Sequence, residues 1–113
     1  MGAKLIQNYL TAANEDLEVI KVANYRRDIA NIKFREKNYL FAQAQYWNAL
    51  SELKKVKKIT PEVNKQIVTI LQDISICSNI TKNFEATIKQ CNIAIEMDSE
   101  AFLAMGLRSI AQQ

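Results

Sequence analysis

Apolar residues recur along this chain every three to five positions, the spacing that places them on one face of an α-helix. Polar segments separate most of the series. The series run over residues 5–20, 21–36, 39–53, 61–80, 84–97 and 101–110. The pattern leaves open whether the first two series form one continuous helix or two. It predicts an all-helical protein.

The breaks between the series have residues that are typical of helix ends. Asn38 can take a left-handed or capping conformation. Thr60 and Pro61 form a helix start, because Thr can cap the first turn and Pro has no N–H to lose there. Residues 81–83 and 98–100 interrupt the pattern again, and the second of these segments is predicted to form a turn and a cap. Helices should therefore begin near residues 39, 61, 84 and 101.

The chain contains an internal repeat. Aligning the two helix pairs at an offset of 45 positions places Tyr39 over Phe84, Ala42 over Thr87, Tyr46 over Cys91, Ala49 over Ala94 and Leu50 over Ile95. Small residues let helices approach closely, and the aromatic residues fill the gaps between them. Most of these positions are therefore predicted to belong to the core.

The residues around the first turn resemble the tetratricopeptide repeat (TPR) family. Residues 30–39 read Ala-Asn-Ile-Lys-Phe-Arg-Glu-Lys-Asn-Tyr and are followed by Ala42, Tyr46 and Ala49-Leu50, similar to the small-Asn-x-x-Phe-Lys-x-Gly-x-Tyr…Ala…Tyr…Ala-Leu pattern of that family. Residues 77–98 look like a later unit, with the closing Ala-Ile-Glu-x-Asp. The resemblance covers residues 21 to about 111.

This resemblance implies a right-handed superhelical array of antiparallel helix pairs, with two and a half repeats. The expected units are a leading helix over 1–20 and a TPR-like domain over 21–113, divided into repeats at about 21–57 and 61–98 and a partial third repeat at 99–113. The offset of 45 exceeds the roughly 34 residues of a regular repeat. The linker around 54–63, or a longer helix, must absorb the surplus.

The long linker resembles the helper domains of large immunophilins and related co-chaperones. In those proteins basic and amide side chains hold the acidic C-terminal tail of a seventy- or ninety-kilodalton heat-shock chaperone. Arg27 stands where that carboxylate clamp has a Lys, and Asn31 follows one turn later. Asp73 stands at the position of a clamp Asn, while the last clamp pair falls on two leucines beside Arg108. The expected peptide-binding residues are Arg27, Asn31, Lys33, Asp73 and Arg108.

Length and composition agree with one globular helical domain. The 113 residues are 49% hydrophobic and 24% charged, with two Gly and one Pro, so long helices are favoured over short strands. The net charge of +3 is too small to imply a nucleic-acid partner. The basic segment 54–58 is interpreted as cations at a helix C-terminus, with a phosphate or acidic-peptide contact as the alternative.

Catalytic chemistry has little support in this sequence. The chain has no His, and its two cysteines, 14 positions apart, cannot complete a zinc site. The carboxylate pairs that could suggest paired acids are Asp28 with Glu36 and Glu96 with Asp98. Neither pair has a second catalytic group nearby. We expect a non-enzymatic protein without a metal or cofactor.

The leading hypothesis is a cytoplasmic, co-chaperone-like module that binds a protein or peptide partner in a concave groove. Reduced buried thiols and the lack of a membrane span or secretion signal favour this location and exclude a membrane partner. The plain alternative for Arg27 and Asn31 is an ordinary solvated helix face. The alternative function is a structural scaffold or homodimer that associates through the terminal helix.

Overall fold

The computed structural model describes residues 2–113 and contains five α-helices within them. They are α1 (Gly2–Arg35), α2 (Tyr39–Leu53), α3 (Pro61–Ile80), α4 (Phe84–Met97) and α5 (Phe102–Ala111). No strand occurs in this range. The helices that are adjacent in sequence pack against each other, and α3 also contacts α5. The prediction of an all-α protein with packed helix pairs is therefore confirmed.

The first two apolar series form one helix. α1 is 34 residues long, which corresponds to about 51 Å at 1.5 Å per residue, in a molecule 59 Å long. Its buried residues, Ala23 and Ala30, both lie after residue 20. Before that point α1 exposes several large apolar side chains. The predicted leading helix 1–20 is thus the first half of a continuous helix, and Met1 lies outside the described residues.

The core lies around α3, which packs against α2, α4 and α5. The buried residues of α3 are Val63, Ile67, Val68, Ile70, Leu71, Ile74, Ser75, Cys77 and Ser78. Five alanines with no exposed surface lie on the helices around α3, at positions 30, 42, 49, 94 and 104. Tyr46 is also buried, as predicted, but Phe84 remains partly exposed. Small residues at the crossings bring the helix axes together, which lets the larger side chains of α3 fill the space between them.

The turn between α1 and α2 has the same backbone conformation as the turn between α3 and α4. Lys37 and Lys82 have left-handed backbones, with φ of 64° and 63°. In both turns the N–H of the following Asn, Asn38 or Asn83, donates to the carbonyl five residues earlier, at 2.9 and 2.8 Å. The same Asn side chain accepts from the N–H three residues later and caps the next helix. This Schellman-type turn recurs at the 45-residue spacing of the sequence repeat.

Lys37→Gly and Lys82→Gly are each expected to raise the free energy of unfolding by about 0.5–1 kcal/mol, because Gly takes a left-handed backbone with no steric cost. Lys54→Gly is the matched control. Lys54 also follows a helix, but its φ is −68°, so Gly should lower stability there by adding freedom to the unfolded chain. Urea denaturation followed by circular dichroism measures all three. Equal effects at Lys37 and Lys54 would contradict the turn geometry.

The linker between α2 and α3 folds back onto α1. The carboxylate of Asp16 accepts from the backbone N–H groups of Lys57 and Lys58 at 2.9 and 3.1 Å. The Lys57 ammonium also pairs with Glu15. Of the basic segment, Lys54 is the C-cap residue of α2, where its backbone N–H donates to the carbonyls of Leu50 and Glu52. The surplus residues of the long repeat thus form an ordered linker on the surface of α1.

The start of α5 differs from its prediction. Asp98 accepts from the N–H of Glu100 at 2.9 Å, so the expected turn is present. The N-cap residue is Ala101, however, and no side chain caps the helix. The predicted cap at 98–100 is wrong because the Asp98 side chain closes its own turn and lies three residues before the N-cap position, too early to reach the first helical amides.

Candidate functional site

An ion pair joins α1 to α3. Arg27 Nε lies 3.3 Å from Asp73 Oδ2, and the two side chains are 36% and 21% exposed. The contact uses one guanidinium nitrogen and one carboxylate oxygen, whereas the strongest Arg–carboxylate pairs are bidentate. The guanidinium is accessible from solvent. The anion that it contacts in this structure is a side chain of the same protein.

Asn31 lies one helical turn after Arg27 and connects α1 to α2. Its Oδ1 accepts from the hydroxyl of Tyr46 at 2.5 Å. Burial, assisted by the charge of Asp73, raises the pKa of Tyr46 to about 12. The phenol is therefore a permanent donor at neutral pH. We call Arg27, Asn31, Tyr46 and Asp73 the polar seam, since they link α1, α2 and α3.

Burial dominates the electrostatics of Asp73. It raises the pKa of this carboxyl above the ordinary 3.8, although the charge and hydrogen bond of Arg27 act in the opposite direction. One turn later on α3, burial and the charge of Asp73 raise the pKa of Cys77 to about 11. The thiol is therefore neutral at physiological pH, which makes it a poor nucleophile. The seam can hold and orient an anion but offers no activated nucleophile.

The raised pKa of Asp73 predicts a pH dependence of stability. The folded protein holds this proton more tightly than the unfolded chain, so the contribution of Asp73 to stability falls as the pH rises from below 3.8 to its folded pKa. Asp73→Asn removes this dependence. Over the acid range above pH 3.8, the wild type should lose stability relative to the variant as the pH rises, as measured by urea denaturation at each pH. A constant difference over this range would contradict the assignment.

The other two predicted binding residues lie outside the polar seam. The Lys33 ammonium pairs with Glu36 at 3.2 Å and lies 5.4 Å from the centre of the Phe41 ring. Arg108 donates to Asn92 Oδ1 at 3.1 Å and so connects α5 to α4. The structure therefore brings together Arg27, Asn31 and Asp73 of the five predicted residues. Lys33 and Arg108 have separate local partners.

Sequence reasoning missed a second polar cluster inside the bundle. Gln43 Nε2 donates to Ser78 Oγ at 2.6 Å, and Ser78 Oγ donates to Gln90 Oε1 at 2.9 Å. The three residues come from α2, α3 and α4. A signal was present, since Ser78 and Gln90 lie at buried positions of apolar helical faces. Because its members satisfy one another, the cluster orients the helices and leaves little polar capacity for a ligand.

A groove between α1 and the linker was also missed. It has a volume of about 490 Å³, within the range of ligand pockets. Its lining is largely apolar and consists of Tyr9, Ala12, Ala13, Asp16, Leu17, Ile20, Lys57, Lys58, Thr60 and Val63. We call it the α1–linker groove. Its far wall is positioned by Asp16, a contact across 41 sequence positions that no local pattern indicates.

Over residues 2–113, no group of three or more His, Cys, Asp or Glu side chains is arranged to hold a metal ion. None of the helices in this range is long and apolar enough to cross a membrane.

No protein-family model matches this chain, and no curated protein is significantly similar to it in sequence.

Proposed function

We propose that the protein is a TPR-type, co-chaperone-like module that binds an acidic peptide segment through the polar seam. The support for a TPR-type superhelix is the repeat of helix pairs with matching turns at residues 37–39 and 82–84. The support for an acidic ligand is the Arg27–Asp73 pair. The C-terminal tail of a heat-shock chaperone, with its closely spaced carboxylates, has the chemistry that this site would recognise.

The Arg27–Asp73 pair is the main support for the proposal. In this pair a carboxylate is bound at the position where the ligand carboxylate is expected to bind. Arg27 is the first residue of the sequence-predicted clamp, and its Nε already contacts a carboxylate oxygen. Asp73 acts as an internal stand-in for the ligand. A peptide carboxylate binds by displacing it from a single-contact ion pair, and the burial of Asp73 makes this displacement costlier than breaking an exposed surface pair. Two-point binding by the incoming group would be stronger.

Asn31 would supply the second ligand contact. Its Oδ1 is engaged by Tyr46, which fixes the orientation of the amide and directs its NH₂ group away from the phenol. An amide NH₂ donates to carboxylate oxygens and cannot accept from a cation. In this arrangement Tyr46 is a positioning residue, while Arg27 and Asn31 are the residues that contact the peptide.

Calorimetric titration with a peptide ending in Glu-Glu-Val-Asp tests the proposal. We expect wild-type protein to bind, and Arg27→Ala to weaken binding at least about tenfold, or 1.4 kcal/mol. Arg26→Ala is the matched control, since it removes the same charge from the neighbouring position of α1 and should change affinity less than about twofold. Absence of binding at millimolar peptide, or equal losses in both variants, would overturn the proposal.

A scaffold or self-association module that uses α5 is the second candidate. Its support is the exposed apolar surface of α5, where Phe102 is 73% exposed and two further large apolar side chains, Leu103 and Ile110, accompany it. Exposed apolar surface of this kind often marks a protein interface. If this candidate is correct, light scattering will show a concentration-dependent dimer that Phe102→Glu dissociates.

A further inference from the structure

The exposed half of α1 has a seven-residue repeat. Apolar side chains alternate at spacings of three and four, at Ala3, Ile6, Leu10, Ala13, Leu17 and Ile20. This is the pattern of helices that pair in a coiled coil. Ile6, Leu10 and Leu17 are 62%, 49% and 56% exposed. We call these six positions the α1 stripe.

The protein's own helices leave most of this stripe uncovered. The buried residues of α1 begin at Ala23, so the packing against α2 involves the second half of the helix. Ala13, Leu17 and Ile20 instead line the α1–linker groove, opposite Thr60 and Val63. The stripe and the groove therefore form one continuous apolar surface, about 27 Å long over 18 residues.

We propose that this surface binds the α1 helix of a second copy of the chain, in an antiparallel pair with two-fold symmetry. The pattern of large and small residues is self-complementary in this direction. Leu17 packs beside the partner subunit's Ile6, Leu10 beside the partner's Ala13, and Ala3 beside the partner's Ile20. Two of these three layers set a large side chain against an alanine, which combines adequate volume with close approach of the helices. A parallel pair would instead place Ala13 against the partner's Ala13 and leave a gap.

The flanking positions also permit the antiparallel pair. Gln7 would lie near the partner subunit's Asn14, and Tyr9 near the partner's Asp16. These pairs can form hydrogen bonds, and none sets like charges opposite each other. Antiparallel pairing places the partner's first turn at the groove, so that its apolar side chains fill the space between α1 and the linker. A two-fold contact of this kind closes the assembly at two copies.

Sedimentation equilibrium of the full 12.9 kDa chain tests this proposal independently of peptide binding. We expect a monomer–dimer equilibrium between about 1 and 200 µM. Leu10→Glu and Leu17→Glu should give monomers with unchanged helix content, because both side chains are exposed in the single chain. Leu40→Glu is the matched control, since Leu40 is an exposed leucine of α2, and this variant should still dimerise.

Three results would overturn the proposal. They are a wild type that stays monomeric over this range, dimers that survive both α1 substitutions, and dimers that only Phe102→Glu dissociates.

A separate experiment tests the relative orientation of the two α1 helices. It measures the distance between spin labels attached at Leu5→Cys, a position outside the stripe, in the two copies. Antiparallel helices separate the two labels by about 13 residues, or roughly 20 Å along the axis. A separation near 10 Å would overturn the antiparallel arrangement.

Peptide binding distinguishes this proposal from the first one. The α1 stripe ends at residue 20, and the polar seam begins at Arg27, two turns further along the helix. Leu10→Glu should therefore abolish the dimer and leave the calorimetric affinity for the acidic peptide within about twofold of wild type. A loss of both activities in this variant would contradict the separation of the two surfaces.

Discussion

Asp73→Asn is expected to raise the affinity for a peptide ending in Glu-Glu-Val-Asp by at least about tenfold, or 1.4 kcal/mol. Asp73 is the carboxylate that now contacts Arg27, so an incoming carboxylate must displace it and also approach its negative charge. Asn has nearly the same shape and carries no charge. The substitution therefore removes both the competition for Arg27 and the repulsion of the ligand. Calorimetric titration of the two proteins measures the effect.

Two control variants make this result specific. Asp28→Asn changes the net charge of the protein by the same amount, at an exposed position of α1, and should raise the affinity less than about threefold because solvent and salt screen its charge. Arg27→Ala in the Asp73→Asn background should remove the gain. Equal gains from Asp73→Asn and Asp28→Asn would indicate general electrostatic attraction and would contradict an internal competitor.

Leu50→Ala is expected to lower the free energy of unfolding by about 2–5 kcal/mol. Leu50 lies on α2, and its fully buried side chain belongs to the core centred on α3. Its replacement loses buried apolar area and leaves a cavity that the packed helices cannot close. Such a loss is a large part of the total stability of a domain of this size. Urea denaturation followed by circular dichroism measures it.

Leu40→Ala is the matched control for this prediction. It is the same substitution ten positions earlier on α2, where the side chain is 70% exposed. The expected change is within about 0.5 kcal/mol, since the leucine has little buried area to lose. If the two variants lost similar stability, the position assigned to α2 relative to the core would be wrong.

Helix bounds were the most predictable part of the fold, because local residues set them. Thr60 caps α3 and Pro61 occupies its first turn, so this start could be identified from three consecutive residues. The turn at residues 81–83 likewise ends α3 after Ile80, as predicted. The prediction of a helix cap at residues 98–100 was wrong. The Asp98 side chain can form either a local turn or a helix cap, and it forms the turn.

Local residues did not predict the continuity of α1 or the presence of the α1–linker groove. Periodicity alone did not decide whether the helix continues between residues 20 and 24, and it left one helix and two equally open. The groove requires Asp16 to hold the linker across more than 40 positions. Single-sequence patterns contain no such pairing, because it depends on how α2 directs the chain back towards α1.

The candidate site could be predicted from the sequence only in part. Arg27 and Asn31 could be predicted because a spacing of four places both on one helix face. Sequence position also placed Asp73 among the expected peptide-binding residues, at the position of a clamp Asn. Its pairing with Arg27 across 46 positions, and the role of Tyr46 in holding Asn31, required the packed helices. Lys33 was grouped with the site by sequence, but its ammonium pairs with Glu36, just beyond the end of α1.

The central claim is that the polar seam binds carboxylates, and a matched pair of peptides tests it most directly. One peptide ends in Glu-Glu-Val-Asp. The other is Gln-Gln-Val-Asn with a C-terminal amide, which has nearly the same shape and no carboxylate. Calorimetric titration of the Asp73→Asn variant should show binding of the acidic peptide and at least about tenfold weaker binding of the neutral one. Equal affinity for the two peptides, or binding of neither, would contradict the claim.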